Sequence, residues 1–457
     1  MPAAARSASL DLAPVMHRLA LADFDVFADD AGTLIGLRQL CAAELSKHIL
    51  LMHEVLVNAA DKHPASYARL ELADAFQLLV RAQERNPDAV AQILSLPGVG
   101  AWAVDCLPRL DSADTGDPAL KADLAELTAI AAAAGIRAGL DFALLIPVRN
   151  GRLILPGFTP LDTPLSCEYA LLRHSEAGLA LHCDGSMHRL PAQPPGRTRL
   201  LVKQAGLTLD VHFDISDPYL TRHLHHPMAD LDKEATAGWI ERFGGAWRIL
   251  ADRHPADAVA IAAVLDTVVP LTTDRATIVS MTSTATFGAI AASLPPDDLT
   301  LAETLVHECQ HLKLCALLDL FPMVADDGAG RYYAPWRDDP RPVRGLLQGA
   351  YAFFGVTRFW RRQRYYGRAD QVLRGHVEFA RRRNETLAVT SALLEAGELT
   401  GTGTRFVSRM HARLRDWRRD RVPEDARRMA AEVSTDHAAT WRLRHVSCDP
   451  AASGAAG

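Results

Sequence analysis

Apolar residues recur at helical spacing from about Asp11 to Ala134, as in LRQLCAAELSKHILLMHEVLVNA and LELADAFQLLVRAQ. Recurrence at i, i+3, i+4 and i+7 predicts amphipathic helices. From about Leu140 to Asp214 the period falls to two. ALLIPVRNGRLILPGF sets Asn150-Gly151 between two extended runs, a type I′ hairpin signal, because both turn positions need positive φ. YALLRHSEAGLALHC and RLLVKQAGLTLDVHF repeat the alternation, each around a Gly-containing turn. The reading is an antiparallel β unit inserted between helical parts. A helix is predicted over about 232–252. One or two strands follow in ATIVSMTSTATFGAIAAS, which is rich in Thr, Val and Ile. Beyond Pro296 the pattern is helical almost to the end, where CDPAASGAAG reads as a disordered tail.

These periods predict an α+β fold, mainly α-helical, with the inserted antiparallel β unit. The expected divisions are an N-terminal helical region (1–139), the β insertion (140–230), a helical metal domain (231–447) and a tail (448–457). Hydrophobic residues make up 49% of the 457 and charged residues 23%, a globular composition that excludes disorder for most of the chain. The net charge of -6 gives no overall case for a nucleic-acid partner. The longest apolar run, Ala258 to Leu265, is too short to span a membrane. The first residues hold no apolar h-region, so no secretory signal is expected. Seven cysteines stand singly without a CxxC pair, which predicts reduced thiols and a cytoplasmic protein.

The sharpest chemical signal is TLAETLVHECQHLKLCALLDLFP, which contains His307-Glu308-Cys309-Gln310-His311. On a helix, His307 and His311 lie one turn apart on one face, so both imidazoles can reach one metal ion. Glu308 is turned by about 100° and can approach a metal-bound water from the side. Thr300 and Glu303 suggest a capping box before the motif, and Pro322 a stop after it. This HExxH pattern usually signals a zinc peptidase with the glutamate as general base. The common peptidase completions are missing. Leu314 and Leu317 stand where a glycine and a third histidine would, and GAGRYY where a distal glutamate would.

The stretch from Ala302 to Arg361 resembles a known family on VHECQHLKL, YYAPWRDDPRPVRGLLQGAY and FWRR. FGAIAASLP, ELTGTGTRFV and DHAATWRLRH extend the likeness. The family is the HExxH-motif group of 2-oxoglutarate-dependent peptide β-hydroxylases from ribosomal peptide modification clusters. The resemblance implies Fe(II) held by His307, His311 and a third residue, with 2-oxoglutarate as cosubstrate. It implies a precursor peptide as substrate and a radical peptide-modifying enzyme as a pathway partner; the charge balance and the short apolar runs predict neither nucleic acid nor membrane as partner. Where the family carries a histidine in or near the helix GLLQGAYAFF, this chain has Gln348 and Phe353. Gln348, His376 and His437 are therefore the candidates for the third ligand. Arg337, Arg341 and Arg344 surround a proline-rich turn, and one of them can bind the distal carboxylate of 2-oxoglutarate. The same arginines can instead pin the loop through Asp338 and Asp339. A zinc metallopeptidase of a peptide maturation pathway and a catalytically inactive peptide-binding partner remain alternatives.

Three further signals compete. Leu96-Pro97-Gly98-Val99-Gly100 mimics a phosphate-binding hairpin, but its flanks carry no Lys or Arg and it reads as an interhelical turn. His223, His225 and His226 read as a polar loop, with a second metal site as the sharper alternative. From Arg358 to Arg428 there are eighteen arginines against nine acids, a strongly positive region.

Overall fold

The computed structural model describes residues 17–112, 117–163, 167–191, 194–223, 228–229, 231–272, 278–325 and 330–445. Seven helices come first: α1 (Leu21–Asp29), α2 (Leu34–Lys62), α3 (Pro64–Arg69), α4 (Leu72–Arg85), α5 (Pro87–Leu94), α6 (Pro97–Ser112) and α7 (Pro118–Arg137). Proline opens several of them at the first helical position, where no N–H is needed. Eight strands follow: β1 (Phe142–Pro147), β2 (Arg152–Leu153), β3 (Leu161–Asp162), β4 (Tyr169–Ser175), β5 (Gly178–Cys183), β6 (Ser186–Leu190), β7 (Thr198–Gln204) and β8 (Leu207–Phe213). Then come α8 (Pro218–Arg222), α9 (Lys233–Arg253), α10 (Pro255–Val264), β9 (Thr267–Leu271), β10 (Ser280–Met281) and β11 (Ala289–Ser293). The chain closes with α11 (Asp298–Leu320), α12 (Val343–Gln363), α13 (Ala369–Glu395), α14 (Gly401–Trp417) and α15 (Glu424–His445). The fold is α+β and mainly helical. No single helix among the described residues is long and apolar enough to cross a membrane.

The β-rich stretch is not one unit: besides the two-stranded pair β2-β3 it divides between two larger sheets. β1, β4, β5 and β6 form an antiparallel sheet, whereas β7 and β8 join a second sheet ordered β10-β11-β9-β8-β7. In that sheet β8–β9 and β9–β11 are parallel. Burial explains the division. Leu144, Ile146, Leu172 and Leu181 pack with α4–α7 in one core, while Leu200, Leu209, Val211 and Phe213 pack with α9 and α11 in another. All five residues of β9 and of β11 are buried, as interior parallel strands require. The cores therefore do not follow the boundaries expected at 139–140 and 230–231. α1 and the start of α2 belong with α11, and β1, β4 and β5 belong with the N-terminal helices.

The Asn150-Gly151 turn forms, with φ of 52° and 71° and Arg149 bridged to Arg152. The long hairpin around it does not, because β1 pairs with β4 and β2 with β3. Cys167 and Cys183 are paired, against the expectation of seven reduced thiols. Cys41, Cys106, Cys309 and Cys315 are free, and the last three are buried. Cys448 and the rest of the predicted tail lie outside the described residues.

The helix expected around the HExxH motif is α11. Its cap is Asp297, whose carboxylate accepts from the Thr300 N–H at 2.7 Å. The expected Thr300–Glu303 box is displaced, because Thr300 already lies inside the helix. α11 is buried among α2, α9, α10 and α12. Gly355 lets α12 approach it closely. A Cβ there would stand 2.6 Å from Gln310 Cγ, and Gln310 itself donates to the Tyr351 carbonyl at 3.1 Å.

Candidate metal centre

His307 and His311 point to the same place from successive turns of α11. Their Nε2 atoms lie 3.2 Å apart. Two nitrogens about 2.1 Å from one ion stand roughly 3.0 Å apart at right angles and roughly 3.4 Å apart in a tetrahedron, so the observed spacing suits one shared ion. Gln348 on α12 fixes the second ring. Its Oε1 lies 3.0 Å from His311 Nδ1, and since an amide oxygen only accepts, Nδ1 carries the proton. The lone pair is thereby left on Nε2, facing His307. The Gln348 amide nitrogen in turn reaches Cys315 Sγ at 3.7 Å. Gln348 thus stands behind His311, on the side away from the paired nitrogens.

His307 is held by aromatic packing. Phe353 meets it edge-on at 5.0 Å, and Trp336 stacks on Phe353 at 4.5 Å. Arg382 covers the Phe353 ring at 4.5 Å. Gly349 makes room for this wall, since a Cβ there would lie 2.5 Å from Trp336 Nε1. Burial, the neighbouring His311 and the Arg382 charge hold the His307 imidazole well below its ordinary pKa, and therefore neutral. A neutral imidazole is the metal-binding form.

Glu308 is buried between helix and sheet. Its Oε1 accepts from Ser280 Oγ of β10 at 2.6 Å, while Oε2 has no hydrogen-bond partner among the described residues. Burial raises its pKa, opposed by His311 and by the hydroxyls of Ser280 and Thr282.

These groups share one cavity of about 520 Å³. Arg337, Arg341 and Arg344 also line it. The loop that carries the first two is closed by paired backbone bonds between Tyr332 and Arg341, at 2.8 and 2.9 Å. Arg337 and Arg341 both bind Asp339, at 2.9 and 3.0 Å. Asp338 instead binds Arg444 of α15 at 2.8 Å. Arg344 is exposed to the cavity and meets no carboxylate among the described residues.

The other ligand candidates lie elsewhere. His437 on α15 is bonded through Nδ1 to the Tyr333 hydroxyl at 2.8 Å, and His376 on α13 packs edge-on against Tyr365. Neither lines the cavity. No group of three or more His, Cys, Asp and Glu among the described residues has the arrangement of a metal site. Sequence reasoning passed over Ser280 and Thr282, which come from a Thr-rich segment in and just after β10 with no distinguishing spacing.

The rival motifs are placed as structure. Pro97 opens α6, and a Cβ on Gly100 would lie 2.3 Å from His48 Nε2, so the glycines serve close helix packing. His223 bonds Asp105 at 3.0 Å. His225 and His226 lie outside the described residues. Compared with known proteins, the chain matches no family model and no curated protein.

Proposed function

We propose that this protein is an iron(II)- and 2-oxoglutarate-dependent hydroxylase of a ribosomally made peptide. The observation that carries the reading is the shared cavity: two convergent imidazoles and an arginine without a carboxylate partner among the described residues line the same 520 Å³ space. The two imidazoles fit a shared divalent metal, because their Nε2 atoms are spaced for one ion. Glu308 lines the same cavity, and its buried Oε2 has no hydrogen-bond partner among the described residues. Bound iron(II), with 2-oxoglutarate and dioxygen, supplies the hydrogen abstraction and hydroxyl transfer at a peptide carbon.

The chain's own residues do the positioning. His307 and His311 hold the metal, and Gln348 keeps His311 in the ligating tautomer. Arg344 offers a planar fork that matches a carboxylate bidentately, while Arg337 and Arg341 keep the cavity wall in place through Asp339. Trp336 and Phe353 exclude water from one side of the site. Gln348 stays a candidate ligand only if its oxygen leaves His311; as it stands, its role is orientation.

A zinc peptidase is the second reading, favoured by one observation: Glu308 lines the same cavity with a free carboxylate oxygen. Turnover separates the two. The hydroxylase consumes 2-oxoglutarate and O₂, releases succinate and CO₂, and adds one oxygen to the peptide. Peptide cleavage without 2-oxoglutarate overturns this in favour of the peptidase.

A further inference from the structure

A second cavity, of about 690 Å³, opens at the far end of α12. Arginine forks already bind carboxylates in its walls. The buried Arg358 guanidinium bonds Asp257 and faces Asp30. Arg361 bonds both oxygens of Asp420, at 2.7 and 3.3 Å, and lies over the Trp417 ring. Arg362, Arg413 and Arg421 line the same cavity, are exposed, and meet no carboxylate among the described residues. They come from α12, from α14 and from the segment after it, so three separate guanidinium groups face one space. The surrounding stretch from Arg358 to Arg428, with eighteen arginines and nine acids, adds a positive field.

α12 connects this cavity to the metal centre. Gln348 stands at one cavity and Arg361 at the other. At about 1.5 Å per residue the helix rises roughly 20 Å between them. α12 is buried between the two cavities, so an extended peptide, at about 3.3 Å per residue, needs at least about six residues to pass from one to the other.

We propose that the second cavity binds an acidic segment of the peptide substrate, at least about six residues from the residue presented to the metal. This rests on the reading of a peptide as substrate. Spaced carboxylates are the ligand class because the cavity's paired arginines already hold carboxylates and the unpaired ones are spread over several elements.

The test uses the full-length protein and a labelled oligoglutamate of about eight residues, titrated by fluorescence anisotropy at low salt. Oligoglutamine of equal length and a single-stranded oligonucleotide serve as comparators. Oligoglutamate is expected to bind, oligoglutamine not, and added salt to weaken the complex. The double variant Arg362→Gln/Arg413→Gln is expected to lose about tenfold in affinity. Both residues are exposed, so an unchanged thermal melt will show that its fold is kept. Equal affinity in the variant, equal binding of oligoglutamine, or preferential binding of the oligonucleotide overturns the proposal. The assay needs neither iron nor turnover. Its failure beside intact hydroxylation removes only this site, and absence of hydroxylation beside intact binding removes only the catalytic reading.

Discussion

As the proposed metal ligands, His307 and His311 would both present Nε2 to one ion. Burial, His311 and Arg382 keep the His307 imidazole neutral, and the Gln348 oxygen behind His311 directs Nε2 of that ring to the site. Replacing either histidine by alanine removes a donor, and stoichiometric metal binding is expected to be lost in both variants when measured by metal analysis. Full occupancy in both would refute the centre. Gln348→Leu removes only the orienting acceptor, so metal affinity should fall by about 10–100-fold without being abolished. Gln348→Glu, which keeps an acceptor at the same place, should restore most of it. Glu308 separates the chemistries. In the hydroxylase, Glu308→Gln keeps the metal and loses about 10–100-fold in activity, because no general base is needed. In a peptidase the same change nearly eliminates turnover.

α11 and α12 form the joint on which the site depends. Gly355 allows their approach, and Gly355→Val forces a branched side chain against Gln310. Overpacking of this kind costs about 1–3 kcal/mol, to be read as a lower denaturation midpoint. Loss of the Asp297 cap by Asp297→Ala costs about 1 kcal/mol. The histidine pair was legible in the sequence because helical period alone puts residues four apart on one face. The Asn150-Gly151 turn was legible for the same local reason, since its conformation depends on two residues. Its strand partners were not, because β1 chose β4 when both were covered by α7 and its neighbours. Nor was the role of Gln348, since it arises where two helices cross and no spacing within one chain segment records that crossing. Asp297 outcompeted Thr300 as the cap because an aspartate just ahead of the helix can reach the Thr300 N–H.

At the scale of the whole molecule, two cores meet along α2, which contributes Leu37 and Leu40 to one and Val55 and Ala59 to the other. His48 lies between these sets, buried, with Nδ1 bonded to the Leu94 carbonyl at 2.8 Å. Burial pushes its pKa down to about 4. The unfolded chain takes up this proton near pH 6.5 and the folded one only near pH 4. The folded state is therefore penalised as the pH falls through that window, by up to about 3 kcal/mol. His48→Asn keeps a donor for the Leu94 carbonyl and cannot titrate. Wild type should lose stability relative to this variant between pH 7 and pH 5 in denaturant titrations, and parallel profiles would contradict the assignment. In the proposed hydroxylase, one cavity would hold iron(II) and a 2-oxo acid together. The most direct test of this is anaerobic titration of 2-oxoglutarate into the iron(II)-loaded protein, read by the visible charge-transfer absorption of a chelated 2-oxo acid. A saturable absorption is expected that is lost in His311→Ala and needs more 2-oxoglutarate in Arg344→Gln. Stoichiometric iron with no such absorption at any 2-oxoglutarate concentration would contradict the proposal.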